Sequence, residues 1–140
     1  MTIRAHVQNE ADNHQVTLTT NEHTHNIDIA PKSSGQGSSI NGGEMLLLAL
    51  ATCYCNDVYR EAAKLDIEIL SVEVEVTGEF GGVGEPAQNL SYVAKAKARD
   101  TSEQVVTNLL RHTDQVAEVQ NTLRLGLPVI LSKVAAEIVG

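Results

Sequence analysis

GEMLLLALATCYCNDVYREAAK, residues 43–64, is the most apolar stretch of the chain and holds both cysteines. From Met45 to Cys55 it carries no charge, and its apolar residues fall on every side of a helix. A helix that is hydrophobic all round is a core helix or a membrane span. A bilayer needs about 20 consecutive apolar residues, more than this run supplies, so it is read as one long buried helix. After Cys55 the pattern turns amphipathic. Asn56, Asp57, Arg60, Glu61 and Lys64 are polar, while Val58, Tyr59, Ala62 and Ala63 can pack. The N-terminal half is therefore expected inside the core and the C-terminal half at its edge.

The length of 140 residues fits one domain, residues 1–140. With one Phe, three Tyr and no Trp, the core has to be built from Leu, Val, Ile and Ala. So small a domain cannot easily cover a helix that is apolar on all sides. A homodimer would, because obligate dimers share apolar surface that neither protomer covers alone. The net charge of −8 speaks against nucleic acid and against anionic membrane surfaces as partners. No basic segment followed by an apolar run marks a secretory leader, and a cytoplasmic location is expected. Cys53 and Cys55 sit two apart and point to different sides of a helix, so no disulfide is expected between them. A zinc site would need more ligands at a recognisable spacing, and none is visible. His23 and His25 share a strand face but lack a third ligand.

Outward from the central helix, the flanks alternate. Ile3–Val7, Val16–Thr20 and the run around His25, Ile27 and Ile29 have period two, separated by turns at 8–13 and 21–22, and make a three-strand antiparallel meander. Residues 31–43, PKSSGQGSSINGG, form a loop, read equally as substrate-facing or as a plain connector. Asn41 followed by Glu44 matches a capping box, which gives Glu44 a structural role. After the helix, Ile67–Thr77 and Leu90–Arg99 alternate and form a hairpin. Glu73 and Glu75 are expected across from Lys95 and Lys97 on a solvated face. The glycine-rich turn 78–88 does not fit a phosphate-binding pattern. Thr101-Ser102-Glu103-Gln104 opens a helix with Val105, Val106, Leu109 and Leu110 on its apolar side. A second short helix is expected from about Asp114 to Leu125, closed by Gly126. A final strand is expected over Val129–Ile138. The order βββ-α-ββ-αα-β is an α+β fold with antiparallel sheets.

The segment LLLALATC and the order of elements around it resemble the OsmC/Ohr family of hydroperoxide-reducing proteins. In that family a helix runs through apolar residues to a reactive cysteine after an Ala-Ala-Cys-like step, where Ala51-Thr52-Cys53 stands here. HTDQVAEVQNTLRLGLPV, residues 112–129, resembles the family's second motif. The resemblance covers most of the chain. It implies an OsmC-like intertwined homodimer, with sheets of both protomers around the two central helices. It also implies thiol-dependent reduction of organic hydroperoxides without metal or cofactor. Cys53 takes the place of the nucleophile. The chain departs from the pattern elsewhere. The position of the second, resolving cysteine is Ala117, and the proline after it is Glu118. The place of the family's glutamate is Gly43, with Glu44 one residue later. The family's arginine lies in the N-terminal strands, where Arg4 stands nearest. Arg60 lies on the helical face of Cys53, about two turns or roughly 10 Å further on.

A thiol attacks as thiolate, and an unassisted cysteine with a pKa of about 8.5 is ionised only to a few per cent at neutral pH. Two readings follow. One is a one-cysteine peroxidase with Cys53 as nucleophile, helped by Glu44, Arg4 or Arg60, and re-reduced by an external thiol. The other is a non-catalytic dimer of the same fold that binds a small hydrophobic ligand or a protein. A purely structural role for Cys53 is the blandest form of the second.

Overall fold

The computed structural model describes residues 1–34 and 36–140. Gly35, in the loop expected over 31–43, lies outside the described residues. The chain forms two compact units, Met1–Leu48 and Ala49–Gly140, which divide within the long helix.

In the first unit, β1 (Ile3–Glu10), β2 (Asn13–Thr20) and β3 (His23–Ile27) make an antiparallel meander in the order β1-β2-β3. β1 and β2 run further than their apolar alternation, because the ladder continues through the polar pairs Asn9↔His14 and Glu10↔Asn13. The loop after β3 is tied back to β1, where Asn9 Oδ1 accepts from the Gly37 amide at 3.1 Å. The helix α1 (Gly42–Lys64) then starts with the expected capping box. The Glu44 amide donates to Asn41 Oδ1 at 2.8 Å, and the Asn41 amide donates to Glu44 Oε1 at 3.0 Å.

The second unit holds the rest of α1, the hairpin β4 (Glu68–Glu79) and β5 (Gln88–Arg99), and the helices α2 (Glu103–Val116) and α3 (Glu118–Leu125). Its core is Tyr54, Val58 and Ala62 of α1, with Leu109 of α2 and Ala117. The inward faces of the hairpin pack onto it through Ile69, Val72, Val74, Tyr92 and Ala94. Tyr54 and Tyr92 meet edge to face at 4.9 Å, and the Tyr54 hydroxyl donates to the Leu110 carbonyl at 2.7 Å. Ser102 caps α2 by accepting from the Val105 amide. Gly126 closes α3 with φ 65°, a left-handed cap that glycine takes at no steric cost.

Four expectations are corrected. The final strand over Val129–Ile138 is absent: residues 127–140 carry no regular structure. A strand needs a neighbouring edge to bond to, and this segment pairs with neither sheet: its Val129, Leu131 and Ile138 stand 99%, 82% and 93% exposed. The burial of α1 runs opposite to its hydropathy. Its fully buried residues are Leu50, Tyr54, Asp57, Val58, Glu61 and Ala62, whereas Met45 and Leu48 are exposed. The short helix does not start at Asp114, because Ala117 takes an extended conformation (ψ 114°) and separates α2 from α3. On the hairpin, Glu73 faces Lys95, but Glu75 faces Val93 and Lys97 faces Ser71. An antiparallel ladder could pair Glu73 with Lys97 and Glu75 with Lys95, but the register adopted after the irregularity at Ile69/Ser71 lies two residues away from that one, and only Glu73 meets a lysine.

Replacing Leu109, 1% exposed in the core, by Ala removes packing against α1. The expected cost is about 2–5 kcal/mol of stability, read as a lower urea midpoint at unchanged m-value.

Candidate functional site

The polar face of the second half of α1 gathers four residues one turn apart: Cys53, Asp57, Arg60 or Glu61, and Lys64. Spacings of three and four residues make neighbours on a helix surface. The break at Ala117 then turns Glu118, the first residue of α3, onto this face. Cys53 Sγ lies 3.6 Å from Asp57 Oδ2 and 3.7 Å from Glu118 Oε2. The other oxygens of the two carboxylates share a single cation: Arg60 Nη1 is 2.9 Å from Asp57 Oδ1 and 2.8 Å from Glu118 Oε1. Arg60 Nε reaches Glu61 Oε2 at 2.9 Å. Glu61, nearly buried, also takes Lys64 Nζ at 2.8 Å and His112 Nε2 at 2.9 Å.

The electrostatics follow from this crowding. Burial, then the charges of Asp57 and Glu118, push the Cys53 thiol above its ordinary range, against a hydrogen bond from the Val119 backbone. Burial and the neighbouring Glu118 raise Asp57, while Glu118 is lowered by its hydrogen bond with Asp57 and by Arg60. The two carboxyls thus hold a proton more tightly on the buried Asp57 than on the exposed Glu118. Lys64, Arg60 and His112 bring Glu61 down to about 2.

The site residues expected from the sequence separate into two sets. Cys53 and Arg60 are brought together, but through Asp57 and Glu118; Arg60 makes its close contacts with carboxylates. Arg4 lies on β1 opposite Thr19, and Glu44 is committed to the cap of α1; both belong to the first unit. Cys55 is a free, half-buried thiol beside Ala51, Thr52, Asn56 and Val74. Sequence reading passed over Asp57, Glu61, His112 and Glu118. The spacing of Asp57 from Cys53 is a visible signal, whereas Glu118 is 65 residues away from Cys53. Sγ, Oδ2 and Oε2 lie within 4.8 Å of one another, a donor set that no local spacing announces. Ala117, at the break between α2 and α3, is fully buried.

A separate cavity of about 220 Å³ opens among Leu50, Val76, Leu90, Tyr92 and Leu123. At its side, buried Gln120 donates to the Leu50 carbonyl at 3.0 Å. Among the described residues, no helix is long and apolar enough to cross a membrane.

An α+β chain with a half-buried cysteine on its long helix and a helix break against that cysteine defines a class. The sequence pattern of the OsmC-like protein family matches residues 35–132, and the chain belongs to that family. No curated protein matches it. Among solved structures it is similar to an OsmC-like protein from Mycoplasma pneumoniae, with 17% identity, 86% of this chain and 87% of that one covered, and a TM-score of 0.59. It is also similar to an OsmC-like protein of unknown function from Vibrio cholerae, at 12% identity, 87% and 93% coverage and a TM-score of 0.59. An organic hydroperoxide resistance protein OsmC from Legionella pneumophila aligns at 17% identity over 85% and 89% of the chains, with a TM-score of 0.51. At these identities the likeness establishes the fold.

In the folded chain the hydrogen bonds from Lys64, Arg60 and His112 hold the Glu61 carboxyl down at about 2, well below the ordinary carboxylate range. A lowered carboxyl stabilises the fold above its unfolded value, and that contribution disappears as the pH falls through the folded one. Glu61→Gln is therefore expected to unfold more easily at pH 7 and to show a flatter loss of stability than the parent between pH 4.5 and 2. Urea titrations across that range measure both. For Cys53, the alkylation rate with iodoacetamide in a Cys55→Ser background should reach its midpoint above the pH of about 8.5 at which a free thiol is half ionised. Glu118→Gln removes one of the charges that disfavour the thiolate and should shift that profile to lower pH.

Proposed function

We propose that this chain reduces organic hydroperoxides with Cys53 as its sole attacking thiol, and that an external thiol regenerates it. Membership of the OsmC-like family, with Cys53 partly exposed on the family's long helix, is the observation that carries the reading. The Cys53 thiolate attacks a peroxide oxygen, the O–O bond breaks, the organic part leaves as an alcohol, and sulfur becomes a sulfenic acid. Two equivalents of external thiol return it to the thiol, releasing water and a disulfide. Ala117 offers no sulfur for an internal disulfide. Dependence on outside thiol fits a cytoplasmic setting, where thiols are kept reduced. The chain acts in this reading as a homodimer. The exposure of Met45, Leu48, Val129, Leu131 and Ile138 supports a second copy as the cover. The raised thiol leaves little thiolate at neutral pH, so the acceleration over a free thiol has to come from how the site holds the organic peroxide.

A second reading has its own support. With Cys53 facing two carboxylates, the chain is a non-catalytic dimer that binds a small hydrophobic molecule or a protein. The apolar cavity beside Leu50 and Tyr92 is smaller than the range of about 300–1,000 Å³ usual for ligand pockets, so only a small molecule fits it.

The deciding measurement is the oxidation rate of Cys53 by cumene hydroperoxide and by hydrogen peroxide, in Cys55→Ser protein. The expected result is faster reaction with the organic peroxide than a free thiol shows at the same pH, with a sulfenic acid trapped by dimedone. Reaction no faster than a free thiol with either peroxide would leave the binding reading in its place.

A further inference from the structure

Three donors converge between α1 and α3: Cys53 Sγ, Asp57 Oδ2 and Glu118 Oε2. They differ from an ordinary acidic surface cluster in three respects. First, the spacing suits one small ion. With zinc–sulfur and zinc–oxygen bonds of about 2.3 and 2.0 Å, a tetrahedral site sets S and O about 3.5 Å apart. The two S···O separations here are 3.6 and 3.7 Å. Second, the carboxylates are already aimed. Arg60 Nη1 holds Asp57 Oδ1 and Glu118 Oε1 at 2.9 and 2.8 Å, so their other oxygens face the sulfur. An outer partner that fixes the orientation of a ligand is characteristic of metal sites. Third, Asp57 is only 6% exposed, and its carboxyl both accepts from the weak thiol donor and lies in hydrogen-bond contact with Glu118. Two carboxylates brought together at a buried position repel one another unless a proton or a cation stands between them.

Charge points the same way. With sulfur as thiolate, three anionic groups meet a single guanidinium that is also shared with Glu61, so negative charge is left over for a cation. The mixture of thiolate and carboxylate suits zinc or cobalt, whereas magnesium and calcium prefer oxygen alone.

We propose that Cys53, Asp57 and Glu118 form a three-ligand site for a divalent transition ion of the zinc type, with Arg60 as the outer residue that orients the two carboxylates. Binding replaces the S–H bond by a metal–sulfur bond and releases the proton to solvent, and the fourth position of the tetrahedron stays open to water. The ion occupies the sulfur lone pair that peroxide attack would use, so loading the site blocks oxidation and alkylation of Cys53. The site stands independently of the peroxidase reading. A chain inert to peroxides that binds the ion through Cys53 sustains it.

The test is a titration of reduced, metal-free Cys55→Ser protein with Co²⁺. The expected result is one ion per chain with a thiolate-to-cobalt charge-transfer band, displaced by Zn²⁺, and protection of Cys53 from iodoacetamide. Cys53→Ser should abolish the band. Glu118→Gln, at an exposed side chain whose replacement leaves the core intact, should weaken cobalt binding by more than the roughly tenfold typical of losing an outer partner. No charge-transfer band, a band that survives Cys53→Ser, or affinity unchanged in Glu118→Gln would overturn the site.

Discussion

The second half of α1 depends on one shared cation. Arg60 bonds Asp57, Glu61 and Glu118 together, and two of these carboxylates are almost wholly buried. A buried carboxylate left without a partner is strongly destabilising. Only because Arg60 divides itself among the three, with Lys64 and His112 adding their share on Glu61, can polar residues line the inner side of a helix that also carries Tyr54 and Val58. The same bonds tie α1 to α2 through His112 and to α3 through Glu118, so the network fixes the helix packing as well as the charge balance.

This explains why the site was only half legible in the sequence. Local signals were read correctly where the physics is local. Asn41 and Glu44 cap α1 because a capping box needs only four consecutive residues. Gly126 ends α3 because glycine tolerates positive φ. The hairpin follows from alternation alone. Long-range placement was not available: nothing in the order of residues brings Glu118 to Cys53, since a single extended residue at Ala117 does it.

Hydropathy misled in one direction. The uncharged run of α1 has the hydropathy of a buried half, yet Asp57 and Glu61 are buried while Met45 and Leu48 are exposed. Hydropathy records which residues gain by leaving water, not which neighbour covers them. A charged residue with good partners can be buried, and an apolar one stays exposed where no cover is offered. The tail 127–140 makes the same point: Val129, Leu131 and Ile138 have the composition of a strand, but backbone donors and acceptors need an edge to pair with.

A carboxylate at the helix break changes what Cys53 can do. Glu118 adds to Asp57 in disfavouring the thiolate. Arg60 does not reverse this, because its positive charge is drawn to the outer oxygens of Asp57 and Glu118 and is shared again with Glu61. Sulfur therefore ionises only when protons become scarce or when another positive charge enters between the two carboxylates. Burial disfavours the thiolate first, Asp57 adds to it, and Glu118 contributes last, from across the helix break.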